Sequence, residues 1–159
     1  MSGHLPHDGI YKLHYLPHGL EVEGGYVATN SQGARNKPIN AAPDGSESQG
    51  KQTWEVKRVG EGRVQILHAP RKHNGYTGRV GFHNNSEKYG TSIVLSFMSN
   101  YLLEHIKDDI WRIRPTGDWP GVDPVVGLNL ERHDETLAIN ACSLEPGPRP
   151  AWRFVPTSH

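Results

Sequence analysis

Two histidines four residues apart, His14 and His18, have the spacing by which a helix presents paired imidazoles to zinc. Pro17 and Gly19 interrupt any helix there, and Tyr15 stands where a zinc hydrolase would carry Glu, so that motif is excluded. Cys142 is the single cysteine, which rules out an internal disulfide. It follows the apolar alternation Leu137, Ile139, Ala141, the setting of a buried structural thiol and not of a nucleophile. The chain has no Gly-x-Ser-x-Gly elbow, no phosphate-cradling glycine loop between strand and helix, and no cysteine pair at metal spacing. These residues lead us to expect a protein that is not an enzyme and needs neither metal nor cofactor.

The remaining chemistry belongs to loops. Glu21-Val22-Glu23-Gly24-Gly25-Tyr26 sets a glycine pair just ahead of the apolar run Tyr26-Val27-Ala28. Glycine tolerates positive φ and allows a second backbone to come close, so this segment could enter a narrow cleft; it also fits a plain hairpin turn. Ala42-Pro43-Asp44-Gly45-Ser46-Glu47-Ser48-Gln49-Gly50 holds nothing that would bury, and is expected to be exposed. Arg71-Lys72-His73-Asn74-Gly75 is a basic stretch whose Asn-Gly pair suits a tight turn. An exposed basic residue such as Arg71, Lys72 or Arg35 could enter the specificity pocket of a trypsin-like serine protease.

Such loops need a scaffold, and the composition describes it. The 159 residues fit one domain, with 35% apolar residues against roughly 45–50% (counting Gly) in an average globular chain. The 18 Gly and 12 Pro make up almost a fifth of the chain, so much of it is turn. Seventeen basic residues balance seventeen acidic ones and neither sign forms a run, which argues against nucleic acid or a membrane surface as partner. The amino terminus has no signal-peptide pattern and no stretch is long enough to cross a membrane, so a cytoplasmic monomer is expected.

Short alternating runs bounded by Gly, Pro, Asn and Asp recur throughout, whereas the longest helix-like stretch, 101–106, is too short for a helical architecture. Three runs share one form: Trp54-Glu55-Val56-Lys57, Trp111-Arg112-Ile113-Arg114 and Trp152-Arg153-Phe154-Val155. Opening strands are expected at Gly9-Ile10-Tyr11-Lys12-Leu13-His14-Tyr15, Arg63-Val64-Gln65-Ile66-Leu67-His68 and Val126-Gly127-Leu128-Asn129-Leu130-Glu131. The reading is an all-β chain, a β-trefoil of three repeats near 8–59, 60–116 and 117–159 forming a six-stranded barrel capped by hairpins, which leaves no open sheet edge. Gln52-Thr53-Trp54 resembles the Gln-x-Trp repeat motif of ricin-type sugar-binding trefoils, but it occurs once, because Ile110 and Ala151 precede the other two tryptophans. A lectin is thus an alternative.

Several segments together resemble the mycocypins, the clitocypin-like β-trefoil inhibitors of cysteine proteases found in mushrooms. They are Asp8-Gly9-Ile10-Tyr11, Gly24-Gly25-Tyr26 with Ala28-Thr29, Gly33-Ala34-Arg35, Pro43 ahead of Trp54-Glu55-Val56, Gly121-Val122-Asp123, and the closing Arg149-Pro150-Ala151-Trp152-Arg153-Phe154. The resemblance implies a reversible inhibitor of papain-like cysteine proteases. Its cleft-blocking loops would comprise Glu23, Gly24, Gly25 and Tyr26 together with Pro43, Asp44, Gly45, Ser46 and Glu47. It also implies a separate loop, here Arg71, Lys72, His73, Asn74 and Gly75, that offers Asn74 to legumain or a basic residue to trypsin. Family members carry bulky apolar residues in the second papain-binding loop, whereas this chain has Asp44 through Gly50, polar residues that predict a weaker grip or a different target.

Overall fold

The computed structural model describes residues 5–17, 25–30, 36–46, 49–68, 80–97, 99–129 and 135–157. Its strands are β1 (Gly9–Leu16), β2 (Tyr26–Thr29), β3 (Asn40–Pro43), β4 (Trp54–Gly60), β5 (Arg63–His68), β6 (Val80–Asn84), β7 (Ile93–Phe97), β8 (Tyr101–Lys107), β9 (Ile110–Pro115), β10 (Asp123–Leu128), β11 (Leu137–Cys142) and β12 (Ala151–Pro156), with one helical turn, α1 (Gln49–Gln52). Period-2 alternation explains the barrel strands. In β1, Tyr11, Leu13 and Tyr15 are buried while Lys12 and His14 point outward. The same inward pairs recur as Trp54 and Val56, Val64 and Ile66, Tyr101 and Leu103, Trp111 and Ile113, and Trp152 and Phe154.

Antiparallel pairing runs β1-β12-β9-β8-β5-β4 and returns to β1, closing a barrel. The hairpins β2–β3, β6–β7 and β10–β11 cap one end, held together by the bridges Pro38↔Val94, Asn40↔Thr136 and Ser92↔Ala138. Ile39 N–H donates to Ile93 O (2.9 Å) and Leu137 N–H donates to Ile39 O (2.8 Å), so Ile39, Ile93 and Leu137, all fully buried, occupy matching places around the pseudo-threefold axis. This is the expected β-trefoil.

Grouped by barrel strands, the repeats are 9–60, 63–107 and 110–156. The expected division placed Trp111 at the close of the second repeat and a strand near Val126 at the opening of the third. Instead β9, with Trp111, opens the third repeat, and Val126 lies in a cap hairpin. Three ladder pairs show the true correspondence: Tyr11↔Trp54, Val64↔Tyr101 and Trp111↔Trp152. Tyr101 is therefore the second repeat's counterpart of Trp54 and Trp152, while Trp111 matches Tyr11. A buried aromatic serves either strand of the pair, which is why the tryptophans alone misplaced the repeat. The helix-like stretch at 101–106 is strand β8, where pairing with β9 overrides local propensity.

Candidate functional site

The strands β2 and β3 bring the two predicted papain-binding loops side by side. Tyr26 pairs with Pro43 at the end of their ladder, and Asp44 N–H donates to Gly25 O (2.8 Å), extending it by one step. Gly25 and Gly45 sit at φ 81° and 85°, a region an L side chain enters only with strain, and a Cβ on either would meet nothing within 4 Å. Both are therefore glycine because of backbone conformation, and the space before them is open to a partner. Of the residues predicted for this site, the structure describes Gly25, Tyr26, Pro43, Asp44, Gly45 and Ser46. Glu23, Gly24 and Glu47, and all of 71–75, lie outside the described residues.

The second loop is held from beneath by one side chain. Gln52 is fully buried, accepts a hydrogen bond from Gly45 N–H at Oε1 (2.9 Å) and donates from Nε2 to Pro43 O (3.0 Å) and Thr29 Oγ1 (3.2 Å). Two residues on, Trp54 donates its indole N–H to Ala28 O (3.0 Å). Ser46 closes the turn, its N–H (3.0 Å) and Oγ (2.6 Å) both donating to Pro43 O. Asp44 faces outward and pairs with Lys12 Nζ (2.6 Å), with His14 Nε2 3.7 Å away. The sequence pointed to the loop residues but did not place Lys12, His14 or Gln52 beside them. For Gln52 the signal was present as Gln-x-Trp and was read toward sugar instead of toward the loop.

Tyr26 adds an apolar surface. With Tyr15, Pro17, Leu128 and Glu135 it lines a hollow of about 220 Å³. No group of His, Cys, Asp and Glu able to hold a metal occurs among the described residues; His14 lies on β1, and His18 is outside the described residues. Cys142, the half-buried last residue of β11, has its thiol pushed up chiefly by burial and further by Asp123, against Arg149, Arg114 and Arg112. The expected burial is thus only partial, because Cys142 ends its strand, while the raised thiol disfavours the thiolate, which is the reactive form.

A closed trefoil whose exposed loops are braced from inside is a scaffold for presenting backbone to another protein. The chain belongs to the clitocypin peptidase-inhibitor family, whose model matches residues 9–154. That family consists of peptidase inhibitors and not of enzymes. No curated protein matches the chain. Among solved structures it is similar to the designed three-fold symmetric protein ThreeFoil, with TM-score 0.65, 16% identity, and 94% of this chain and 100% of that one covered. It is similar also to 1,3Gal43A, an exo-β-1,3-galactanase from Clostridium thermocellum, with TM-score 0.65, 14% identity and 97% of this chain covered, although it spans 31% of that chain. The cytolethal distending toxin from Actinobacillus actinomycetemcomitans gives TM-score 0.61 and 13% identity, with 95% and 93% of the two chains covered. At these identities the likeness concerns the fold.

Proposed function

We propose that this chain is a reversible inhibitor of papain-like cysteine peptidases and that it blocks the active-site cleft with the edge formed by the first-repeat loops. The observation that carries this is the Asp44 N–H to Gly25 O bond, which joins the ends of the two loops into one contiguous surface. Family membership supports the inhibitory activity, and the left-handed glycines support close approach by a cleft. Bracing by Gln52 lowers the ordering entropy that binding would otherwise cost. The Gln52 amide is engaged with Gly45, Pro43 and Thr29, which accounts for the Gln-x-Trp pattern without a sugar. Asn74, outside the described residues, belongs to the same proposal as the reactive residue of a separate legumain-directed loop.

Titration of papain with the purified protein tests the reading. Wild type should inhibit, and Gly24→Trp should weaken inhibition by about 30-fold or more, the scale of a hot-spot loss, while the melting temperature stays within about 2 °C. Inhibition unchanged in that variant would remove the glycine-pair loop from the site.

A further inference from the structure

The third repeat carries a counterpart of the loop just described. Trp152 donates its indole N–H to Val126 O (3.0 Å) as Trp54 does to Ala28 O, so Val126 answers to Ala28. Their ladder partners are Ile139 and Ala41, and the same number of residues separates Pro43 from Trp54 and Ala141 from Trp152. Cys142, Ser143 and Leu144 thereby stand in the places of Asp44, Gly45 and Ser46. The second repeat has no comparable loop, because β7 ends at Phe97 and β8 begins at Tyr101.

This loop is braced too, by Arg149, which is 9% exposed. Its guanidinium donates to Ser143 O, to Glu145 O (3.1 Å) and to Gly147 O (3.0 Å), and its Nε is ion-paired to Asp123 Oδ2 (2.6 Å). Three carbonyls of one short loop are tied to a single planar cation, so the loop backbone is set before any partner arrives. Leu144 projects from it at 69% exposure, the most exposed large apolar side chain among the described residues. Glu145 beside it is exposed, and its carboxylate has no partner among the described residues. An apolar pocket that covered Leu144 would take this side chain out of water, which is favourable, and the fixed backbone would keep the ordering cost small.

We infer that loop 143–148 is a second peptidase-docking site, anchored by Leu144 and suited to a cleft that offers an apolar pocket with a basic rim. The inference rests on the inhibitory activity of the family and not on the first-repeat loops serving papain. Because the two loops belong to different repeats, each can be lost without the other.

The experiment measures inhibition of papain and of chymotrypsin, whose specificity pocket is a hydrophobic slot, by wild type, Leu144→Asp, Leu144→Phe and Gly24→Trp. Leu144→Asp should weaken inhibition of at least one of the two enzymes by about 30-fold or more, and Leu144→Phe should retain it. Leu144 is exposed, so all four proteins should melt together, which separates a docking effect from a folding one. Loss of papain inhibition in Leu144→Asp but not in Gly24→Trp would support this site while removing the first-repeat reading. Inhibition of both enzymes unchanged by Leu144→Asp would overturn the inference and leave the first-repeat reading to stand or fall on Gly24→Trp.

Discussion

The loops that follow β3 and β11 have the same length and the same register against a buried tryptophan, yet they are held by opposite chemistry. In the first repeat a neutral amide, Gln52, satisfies two backbone groups of the loop and reaches Thr29. In the third repeat the two positions that correspond to Thr29 and Gln52 are Gly127 and Pro150, and they pack directly: a Cβ on Gly127 would lie 2.9 Å from Pro150 Cβ. The bracing there passes to Arg149, whose charge must itself be answered by Asp123. Asp123 also accepts from Arg114 at Oδ1 (3.0 Å) and Oδ2 (2.8 Å), and Arg114 continues to Glu104, which Arg112 reaches at 3.1 Å. The difference teaches that loops at matching places can be pinned by a neutral amide or by a cation, and that the cation brings with it a titratable counter-ion, Asp123.

The largest effect that sharpens this contrast is expected for Asp123→Ala. It removes the carboxylate that answers Arg149 and one of the two that answer Arg114, both in a mostly buried setting, and should cost about 3 kcal/mol in urea unfolding at pH 7. Burial alone would raise the Asp123 carboxyl, but hydrogen bonds and charge from Arg114, then Arg149, hold it below the ordinary carboxylate range, and Glu104 is lowered against burial by Arg114 and Arg112. A depressed folded value means that the stabilisation is complete above the unfolded pKa of about 4 and is lost as pH falls through the folded value. The gap between wild type and Asp123→Ala should therefore narrow on going from pH 7 to pH 2. A gap that stays constant would show that the carboxylate charge contributes nothing.

Next in size is Gln52→Ala. Removing the amide orphans Gly45 N–H and one bond to Pro43 O, for about 2 kcal/mol. Because Gln52 does not titrate, this cost should be the same at pH 3 as at pH 7, in contrast to the third repeat, and papain inhibition should fall as the loop loosens. A cost that varies with pH would break the comparison. The smallest effect belongs to Lys12→Met, which removes the partly exposed pair with Asp44. Stability should change by less than about 1 kcal/mol, and the change should shrink further in 1 M salt. A larger loss would make Asp44 part of the bracing and not of the exposed edge.

Much of this molecule was legible before its structure. The inward-facing alternation of Tyr11, Leu13 and Tyr15, or of Trp152 and Phe154, is a local pattern, and turn residues between such runs mark strand ends, so an all-β trefoil followed from the chain alone. The family segments, and the loop residues Gly25 and Pro43 to Ser46, were also readable because glycine and polar runs reveal exposure directly. Correspondence between repeats was not readable. Trp111 and Tyr101 exchange places relative to the tryptophan pattern because a barrel ladder fills its interior from either strand of a pair. Nor could the sequence tell which side chains brace a loop. Gln52 and Arg149 act on carbonyls and amides that chain connectivity alone does not bring to them, and that meeting exists only once antiparallel pairing and the cap hairpins have placed each backbone group. The amino-acid order thus determined which segments face water and which face the core, both short-range consequences of side-chain type. Tertiary structure decided which exposed segments stand together and what holds them, because hydrogen bonds and ion pairs act over about 3 Å and depend on the closed barrel to set that distance.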